Sequence, residues 1–282
     1  MLKIVTSNRL ETLAGELAHR LESSPLADAA ASELVIIPSR GLETWLSMKL
    51  SQAMGISANI RFAFPAKEIR KAMTAALAAV DGRAFDPRAP LVDWWDPDPL
   101  AWAILQEMPG HLADTRFKAL AGYLAAEEEA TPSSGSAAVA SKAGASGTVN
   151  RKEYTLAQRI ANLFDEYAKY RPQWVREWSL ADAASHPETL PGVDADNLWQ
   201  PLLWSAVQNR LGSAHPISRL SEARAALIDP RLAVAGLPQR LTVFGISSLP
   251  RVFLDVLSAM SSRLDVMLMA LSPVEGYFGD VL

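Results

Sequence analysis

Apolar positions follow two rhythms along this chain, and the change from one to the other predicts the fold. Leu2-Lys3-Ile4-Val5 is a short apolar run that reads as a strand. Leu10, Leu13, Leu17 and Leu21 then recur at helical spacing, and Asn8 with Glu11 three residues on fits a capping box at the start of that helix. Leu34-Val35-Ile36-Ile37 is a second strand. Pro38-Ser39-Arg40-Gly41 turns the chain into a helix carrying Leu42, Trp45, Leu46, Leu50 and Ala53, with Gly55 as its stop. Residues 55–65 alternate only in part and read as a short strand or an extended loop. Pro65 then opens a helix on Ile69, Met73 and Leu77, running to about Val80.

A long helical stretch follows. Residues 81–99 are rich in proline and aspartate and read as a surface crossing pinned by Trp94 and Trp95. Helices are expected at about 98–109 and 112–129. Residues 130–150 hold Ala, Ser, Gly and Thr with one lysine as the only charge, too little apolar surface to offset ordering entropy, so a mobile loop is expected there. The clearest helix is 151–171, with Leu156, Ile160, Leu163, Phe164 and Tyr167 on one face and Asn162, Asp165, Glu166 and Lys169 on another; Pro172 ends it. A short segment from Gln173-Trp174 to Leu180 and helices near 195–211 and 216–228 follow, with Trp199 and Trp204 expected in the core. Leu241 to Ile246 and Leu264 to Leu271 restore the strand pattern, with a helix from Pro250 between them.

The fold class predicted is α/β: a parallel-sheet domain like that of P-loop NTPases and superfamily 1 helicases, degenerate and split by a large helical insertion. Residues 1–65 and 237–282 would form the sheet domain and 66–236 the insertion. With four or five strands and the chain stopping just after the last, the sheet reads as part of a longer polypeptide.

Such a fold poses a sharp question. A motor ATPase carries a glycine-rich turn ending in Gly-Lys-Ser/Thr after its first strand, where backbone N–H groups and the lysine hold phosphates. Here that turn is Thr6-Ser7-Asn8-Arg9, and no glycine in the chain is followed by lysine. A motor also needs an acid at the end of the strand that holds magnesium; residues 241–248 contain none. ATP hydrolysis is therefore not expected, although a helix start at Thr6 to Arg9 leaves anion binding by a divergent ATPase as an alternative.

Composition narrows the classes further. Over 282 residues the formal net charge is −4, which argues against coating nucleic acid by bulk charge but leaves a local basic groove open. The absence of cysteine removes thiolate metal sites and cysteine nucleophiles. The four histidines, at 19, 111, 186 and 215, are isolated; no glutamate has lysine two residues on, as a nuclease motif would, and no serine sits in Gly-x-Ser-x-Gly. No catalytic residue, metal or cofactor is assigned. Without a basic-then-apolar leader or an apolar run near ~18 residues, no membrane span is expected and a cytoplasmic protein is. Two polar groups remain as binding candidates. Pro38, Arg40 and Thr44 lie at the carboxyl edge of a strand, where open α/β sheets bind ligands, although a plain structural turn is the simpler reading. The stripe Asn162, Asp165, Glu166, Lys169 is either a solvated face or a site, to which Arg171 and Arg70 would add cations.

Several motifs carry a resemblance. Thr6-Ser7-Asn8-Arg9-Leu10, Trp45-Leu46, Leu50-Ser51-Gln52, Gly55-Ile56-x-Ala58-Asn59-Ile60-x-Phe62-x-x-Pro65, Leu163-Phe164-Asp165-Glu166-Tyr167-x-x-Tyr170-Arg171-Pro172-x-Trp174, Trp199-Gln200-Pro201-Leu202-x-Trp204, Phe244-Gly245-Ile246-Ser247-x-Leu249-Pro250 and Tyr277-Phe278-Gly279-Asp280 run in this order. They resemble the amino-terminal region of the RecC family, the gamma subunits of exodeoxyribonuclease V. The resemblance implies a helicase-like fold with decayed ATPase motifs, partnered by a RecB-like helicase–nuclease and a RecD-like helicase in double-strand-break repair and recombination. It implies guidance of single-stranded DNA and scanning for the hotspot sequence chi. It also implies a strand-contacting surface at Pro38, Arg40, Thr44, Phe64, Arg70, Asn162, Leu163, Asp165, Glu166 and Arg171. Pro38, Arg40, Thr44 and Arg70 depart from the enterobacterial residue types, which leaves open the identity of any recognised sequence but not the location of the channel. The alternative is a module that docks the helicase subunit without touching DNA.

Overall fold

In the computed structural model, which describes residues 1–28, 30–86, 93–126, 150–180 and 185–272, every strand joins one sheet. The strands are β1 (Leu2–Ser7), β2 (Glu33–Ile36), β3 (Ile60–Ala63), β4 (Arg240–Phe244) and β5 (Asp265–Leu271). The helices are α1 (Leu10–Ser23), α2 (Arg40–Met54), α3 (Pro65–Val80), α4 (Pro97–Glu107), α5 (Lys118–Ala126), α6 (Arg151–Tyr170), α7 (Pro172–Trp178), α8 (Trp199–Leu211), α9 (Leu220–Ile228) and α10 (Arg251–Met260). The chain divides into two compact units, Met1–Pro90 with Arg219–Leu282 and Leu91–Ser218.

In the first unit the sheet order is β1-β5-β4-β2-β3 and every pairing is parallel. Right-handed crossovers then dictate the layers. The moves β1 to β2 and β2 to β3 run one way along the sheet and lay α1 and α2 on one face, where Leu13, Leu17, Leu46 and Leu50 pack on Val35, Ile37, Phe244, Met267 and Met269. The returns to β4 and β5 run the other way and lay α3, α9 and α10 on the opposite face, where Ile69, Ala72 and Met260 border Leu34, Ile36 and Leu241. β4, central and covered on both faces, is buried throughout; β1, at the edge, leaves Ile4 62 % exposed on the face away from α1.

Arginines tie the layers at places the hydrophobic pattern does not reach. Arg240 donates to both Glu33 carboxylate oxygens, one at 2.8 Å, and to the Ser24 carbonyl at 2.5 Å. Arg263 donates to the Leu227 and Ala226 carbonyls at 2.6 and 2.8 Å, satisfying the open end of α9. Arg219 grips both carboxylate oxygens of Asp81, beyond the end of α3, at 3.0 and 2.8 Å. These hydrogen bonds hold the Asp81 carboxyl at a pKa of about 2.

Three expectations change. The Asn8–Glu11 capping box does not form: β1 continues to Ser7, the cap residue of α1 is Arg9, and it is the Ser7 hydroxyl that accepts the Arg9 N–H at 3.2 Å. Asn8 therefore stands one position too early. α3 and α9 pack on each other and group with the sheet unit, so the helical unit is narrower than the segment 66–236 read from the pattern. Of the two tryptophans expected to pin the crossing, Trp95 is buried and Trp94 is exposed. Gly55 (φ 78°) and Pro65 do bound α2 and α3 as expected.

The helical unit has an aromatic centre. Trp95 stacks on Trp204 at 4.8 Å between ring centroids, Phe164 meets Trp204 edge-on at 5.2 Å, and Trp178 closes the group at 6.4 Å from Phe164. The Trp204 indole N–H donates to the Ser179 hydroxyl at 3.0 Å. α6 crosses this cluster with Leu156, Ile160 and Phe164 inward, its first turn capped by the Asn150 side-chain Oδ1, which accepts the Lys152 N–H at 2.9 Å. Among the described residues no helix is long and apolar enough to cross a membrane. The expected loop at 130–150, apart from Asn150, and the Tyr277–Asp280 motif lie outside the described residues.

Candidate functional site

The candidate residues fall into two groups, one in each unit. In the sheet unit, parallel strands bring all their carboxyl ends to one edge. β2 and β3 pair with Ile36 opposite Ala63, so their exits, Pro38 and Phe64, leave the sheet side by side. Ser39 caps α2, its hydroxyl accepting the Leu42 N–H at 3.3 Å, which sets Arg40 at the first helical position and Thr44 one turn later. The Thr44 hydroxyl donates back to the Arg40 carbonyl at 3.2 Å. Pro38, Arg40 and Thr44 are exposed, and Phe64 is 41 % exposed although it is a large apolar residue. Arg70, one turn into α3, differs: it is 7 % exposed, with Ile69, Ala72 and Met73 buried around it.

The same edge at β4 is closed by apolar groups. Gly245 leaves β4 with φ +67°, and a Cβ there would lie 2.8 Å from Leu42 Cδ2 and 3.5 Å from Leu10 Cδ2. The first turns of α1 and α2 thus place two leucine side chains against the β4 exit, with Trp45 packed beside Phe244 at 6.5 Å. Reading the sequence for a missing lysine did not reveal this filling; the leucines at the first helical turns were its only trace.

In the helical unit, α6 and α7 build the second group. The polar stripe is not uniformly solvated. Asn162 and Glu166 are exposed and Leu163 half-buried, but Asp165 is buried at 8 % and pairs with Lys169 at 2.5 Å. Lys169 also donates to Glu166 at 2.8 Å. Burial works against the Lys169 ammonium, yet the two carboxylates together outweigh it and hold its pKa above the ordinary lysine value. The stripe reading missed this because helical spacing gives direction around an axis, not depth.

Arg171 occupies the break between α6 and α7, where Pro172 forbids a continuous helix (φ −135°, ψ 51°). Its guanidinium lies 5.8 Å from the Trp174 ring centroid and donates to the Tyr170 carbonyl at 3.0 Å. Tyr167, Tyr170, Trp174, Glu166 and Arg171 line an open basin of about 470 Å³. Tyr167 is fixed from below: its hydroxyl donates to Gln200 at 3.0 Å, its ring sits 5.2 Å from Trp174, and burial raises its phenol pKa. Tyr170 and Trp174 were visible in the sequence only as motif letters. Among the described residues no group of three or more His, Asp or Glu side chains is placed to hold a metal ion.

Comparison with known proteins gives one consistent result. Residues 2–282 match the family "RecC, N-terminal domain". The RecBCD enzyme subunit RecC of Escherichia coli (strain K12) is 28 % identical over 289 residues, an alignment covering 100 % of this chain and 22 % of that protein. The subunit of the same name from Haemophilus influenzae is 27 % identical over 297 residues, covering 100 % and 24 %. That from Mycolicibacterium smegmatis is 30 % identical over 268 residues, covering 94 % and 20 %. The chain thus spans less than a quarter of the length of these relatives.

Proposed function

The chain belongs to the RecC N-terminal domain family, and from that premise we propose that it is a non-catalytic, DNA-guiding part of a RecBCD-type exodeoxyribonuclease V. Its partners in this reading are a RecB-like helicase–nuclease subunit, a RecD-like helicase subunit and single-stranded DNA, in the cytoplasm, during double-strand-break repair and recombination. The sheet is read as a degenerate P-loop-type helicase domain and the helical unit as its insertion. The strand runs over Pro38, Arg40, Thr44 and Phe64 and over Asn162, Leu163, Glu166 and Arg171; Asp165 and Arg70, being buried, position their neighbours. Scanning for a chi-like sequence would use the same residues.

The observation that carries the reading is the carboxyl edge of the sheet. At the β4 exit Leu10 and Leu42 pack on Gly245; on β2 and β3, next along the sheet, the same edge presents an exposed arginine, a threonine and a phenylalanine. An apolar filling cannot solvate phosphate charge, while a cation beside an exposed ring suits a single strand. A low-salt titration of the full chain with a single-stranded oligonucleotide tests it. Binding should weaken as salt rises and weaken again in Arg40→Ala and Arg171→Ala. Binding indifferent to both substitutions, or DNA-stimulated ATP hydrolysis by the pure chain, would overturn the reading.

One feature favours a second reading, a module that docks the helicase subunit without DNA contact. The edge strand β1 leaves Leu2 and Ile4 exposed on the face opposite α1, an apolar strip of the kind partners cover. Capture of the partner subunit by a chain that binds no DNA would select it.

A further inference from the structure

We propose that the amino edge of the sheet, where β1 begins beside the last turn of α1, docks an extended acidic segment of a protein partner, with Arg20 receiving one of its carboxylates. The site lies at the opposite end of the strands from the DNA-guiding edge and does not rest on that reading. Elsewhere in the sheet unit arginines are matched: Arg240 to Glu33, Arg219 to Asp81 and Glu222, Arg61 to Glu68, Arg263 to the carbonyls that end α9. Arg20 is half-buried, yet its guanidinium donates to the Met267 thioether at 3.2 Å, a weak acceptor. Among the described residues no carboxylate or carbonyl oxygen accepts from it. Burial and the neighbouring Arg240 pull its pKa below the ordinary guanidinium value, by more than Asp265 and Glu33 restore. A cation taken partly out of water without an oxygen partner is costly, and an anion from outside removes that cost. Arg20 opens into a cavity of about 390 Å³ shared with Lys3, His19 and Arg240 and bordered by Glu16 and Asp265.

The edge strand selects a peptide. The Met1 and Ser7 carbonyls accept from Val266 and Ser272, so by strand alternation the N–H and C=O groups of Leu2, Ile4 and Thr6 point away from β5. Among the described residues no strand pairs with them, which leaves an edge that an extended peptide can join. The two faces of that edge differ. Lys3 is in register with Met267, the residue beneath Arg20, so Lys3 and Arg20 share the α1 face. Leu2 and Ile4 are exposed on the other face. A strand laid along β1 would therefore alternate acidic side chains toward Lys3 and Arg20 with apolar ones beside Leu2 and Ile4. Glu16 and Asp265 argue against nucleic acid. They repel a chain charged at every unit, but neither is within ion-pair distance of Arg20, and Asp265 faces the Met1 amino group at 3.5 Å. One carboxylate can thus enter the fork of Arg20.

The test uses the full chain and a capped, fluorophore-labelled peptide, Val-Glu-Val-Glu-Val, followed by anisotropy at low salt. The glutamine version of the peptide should bind about tenfold more weakly, as loss of a charge-assisted hydrogen bond does. Methylating the backbone nitrogens on one edge of the peptide, then on the other, should abolish binding in one case only, which separates strand pairing from charge attraction. Both comparisons need only the parent chain. Arg20→Met, which keeps an unbranched stem beside Met267, should erase the preference for glutamate, and Arg20→Lys should keep part of it, each with circular dichroism matching the parent. Arg40→Ala should leave peptide binding unchanged. A preference for glutamate that persists in Arg20→Met, indifference to methylation of either edge, or no binding of the glutamate peptide would overturn the site. Displacement of the peptide by inorganic phosphate or by oligothymidylate would overturn the choice of a carboxylate. The DNA-guiding reading stands or falls separately, on oligonucleotide binding and its loss in Arg40→Ala.

Discussion

The two candidate surfaces are made in opposite ways. At the sheet edge, backbone geometry decides: parallel strands end together, so Pro38 and Phe64 are neighbours whatever their side chains do, and aliphatic packing beneath them is ordinary. At the α6–α7 break, side chains decide: Trp174 is where it is because Tyr167, Trp178 and the Gly192 backbone leave it no other place. A site built on strand ends tolerates changes in its core, whereas one built on stacked rings transmits every change in the rings beneath it. Burial sets Arg70 and Asp165, at 7 % and 8 % exposure, apart from the exposed candidates.

The largest expected effect tests the aromatic half. Trp204→Ala empties the centre of the helical unit and should cost about 3–5 kcal/mol in denaturant unfolding; a cost below ~1 kcal/mol would show that the rings are not its core. Next comes a matched pair of glycines. Gly192→Ala should cost about 1–2 kcal/mol for the left-handed backbone and roughly 1–3 kcal/mol more for overlap with a fixed indole. Gly245→Ala, at the sheet edge, should cost only about the first part, because the atom it meets is the tip of Leu42, which can swing away. Equal losses for the two would break the contrast between a ring-built and a strand-built surface.

Lys169→Met should cost about 1–3 kcal/mol by leaving the buried Asp165 carboxylate without its ammonium, and the loss should shrink in Lys169→Met/Asp165→Asn. The smallest effect is in acid. The Asp81 carboxyl, held at about 2 by Arg219, is depressed in the folded chain. Its contribution is therefore complete above the unfolded carboxylate value of ~3.9 and is lost as pH falls from there through about 2. Asp81→Asn should flatten that part of the stability profile without altering stability at neutral pH by much, since the pair is at the surface. Carbon-detected NMR of the side chain would give the midpoint directly.

Much of this was readable before any coordinates. Apolar runs and helical spacings placed β1, β2, α2, α3, α6 and α10 to within a residue or two, because periodicity and proline or glycine punctuation are local. The cap of α1 was misplaced because strand pairing with β5 drew Ser7 into β1, a non-local influence on a local signal. The polar stripe of α6 was read as one face, and Asp165 left it for the interior. Leu10 and Leu42 looked like ordinary core residues until the sheet order brought both helix starts to Gly245.

By itself the chain's residue order determined which segments are strands and helices, that Gly-Lys is missing from the first turn, and that motifs of one family run through it in order. These are properties of neighbours along the backbone and of residue identity. The tertiary structure alone decided which polar side chains are buried, which leucines close the sheet edge, and that Tyr170, Arg171 and Trp174 border one basin. Depth, closure and convergence depend on contacts between residues far apart in the chain, and no local spacing encodes them.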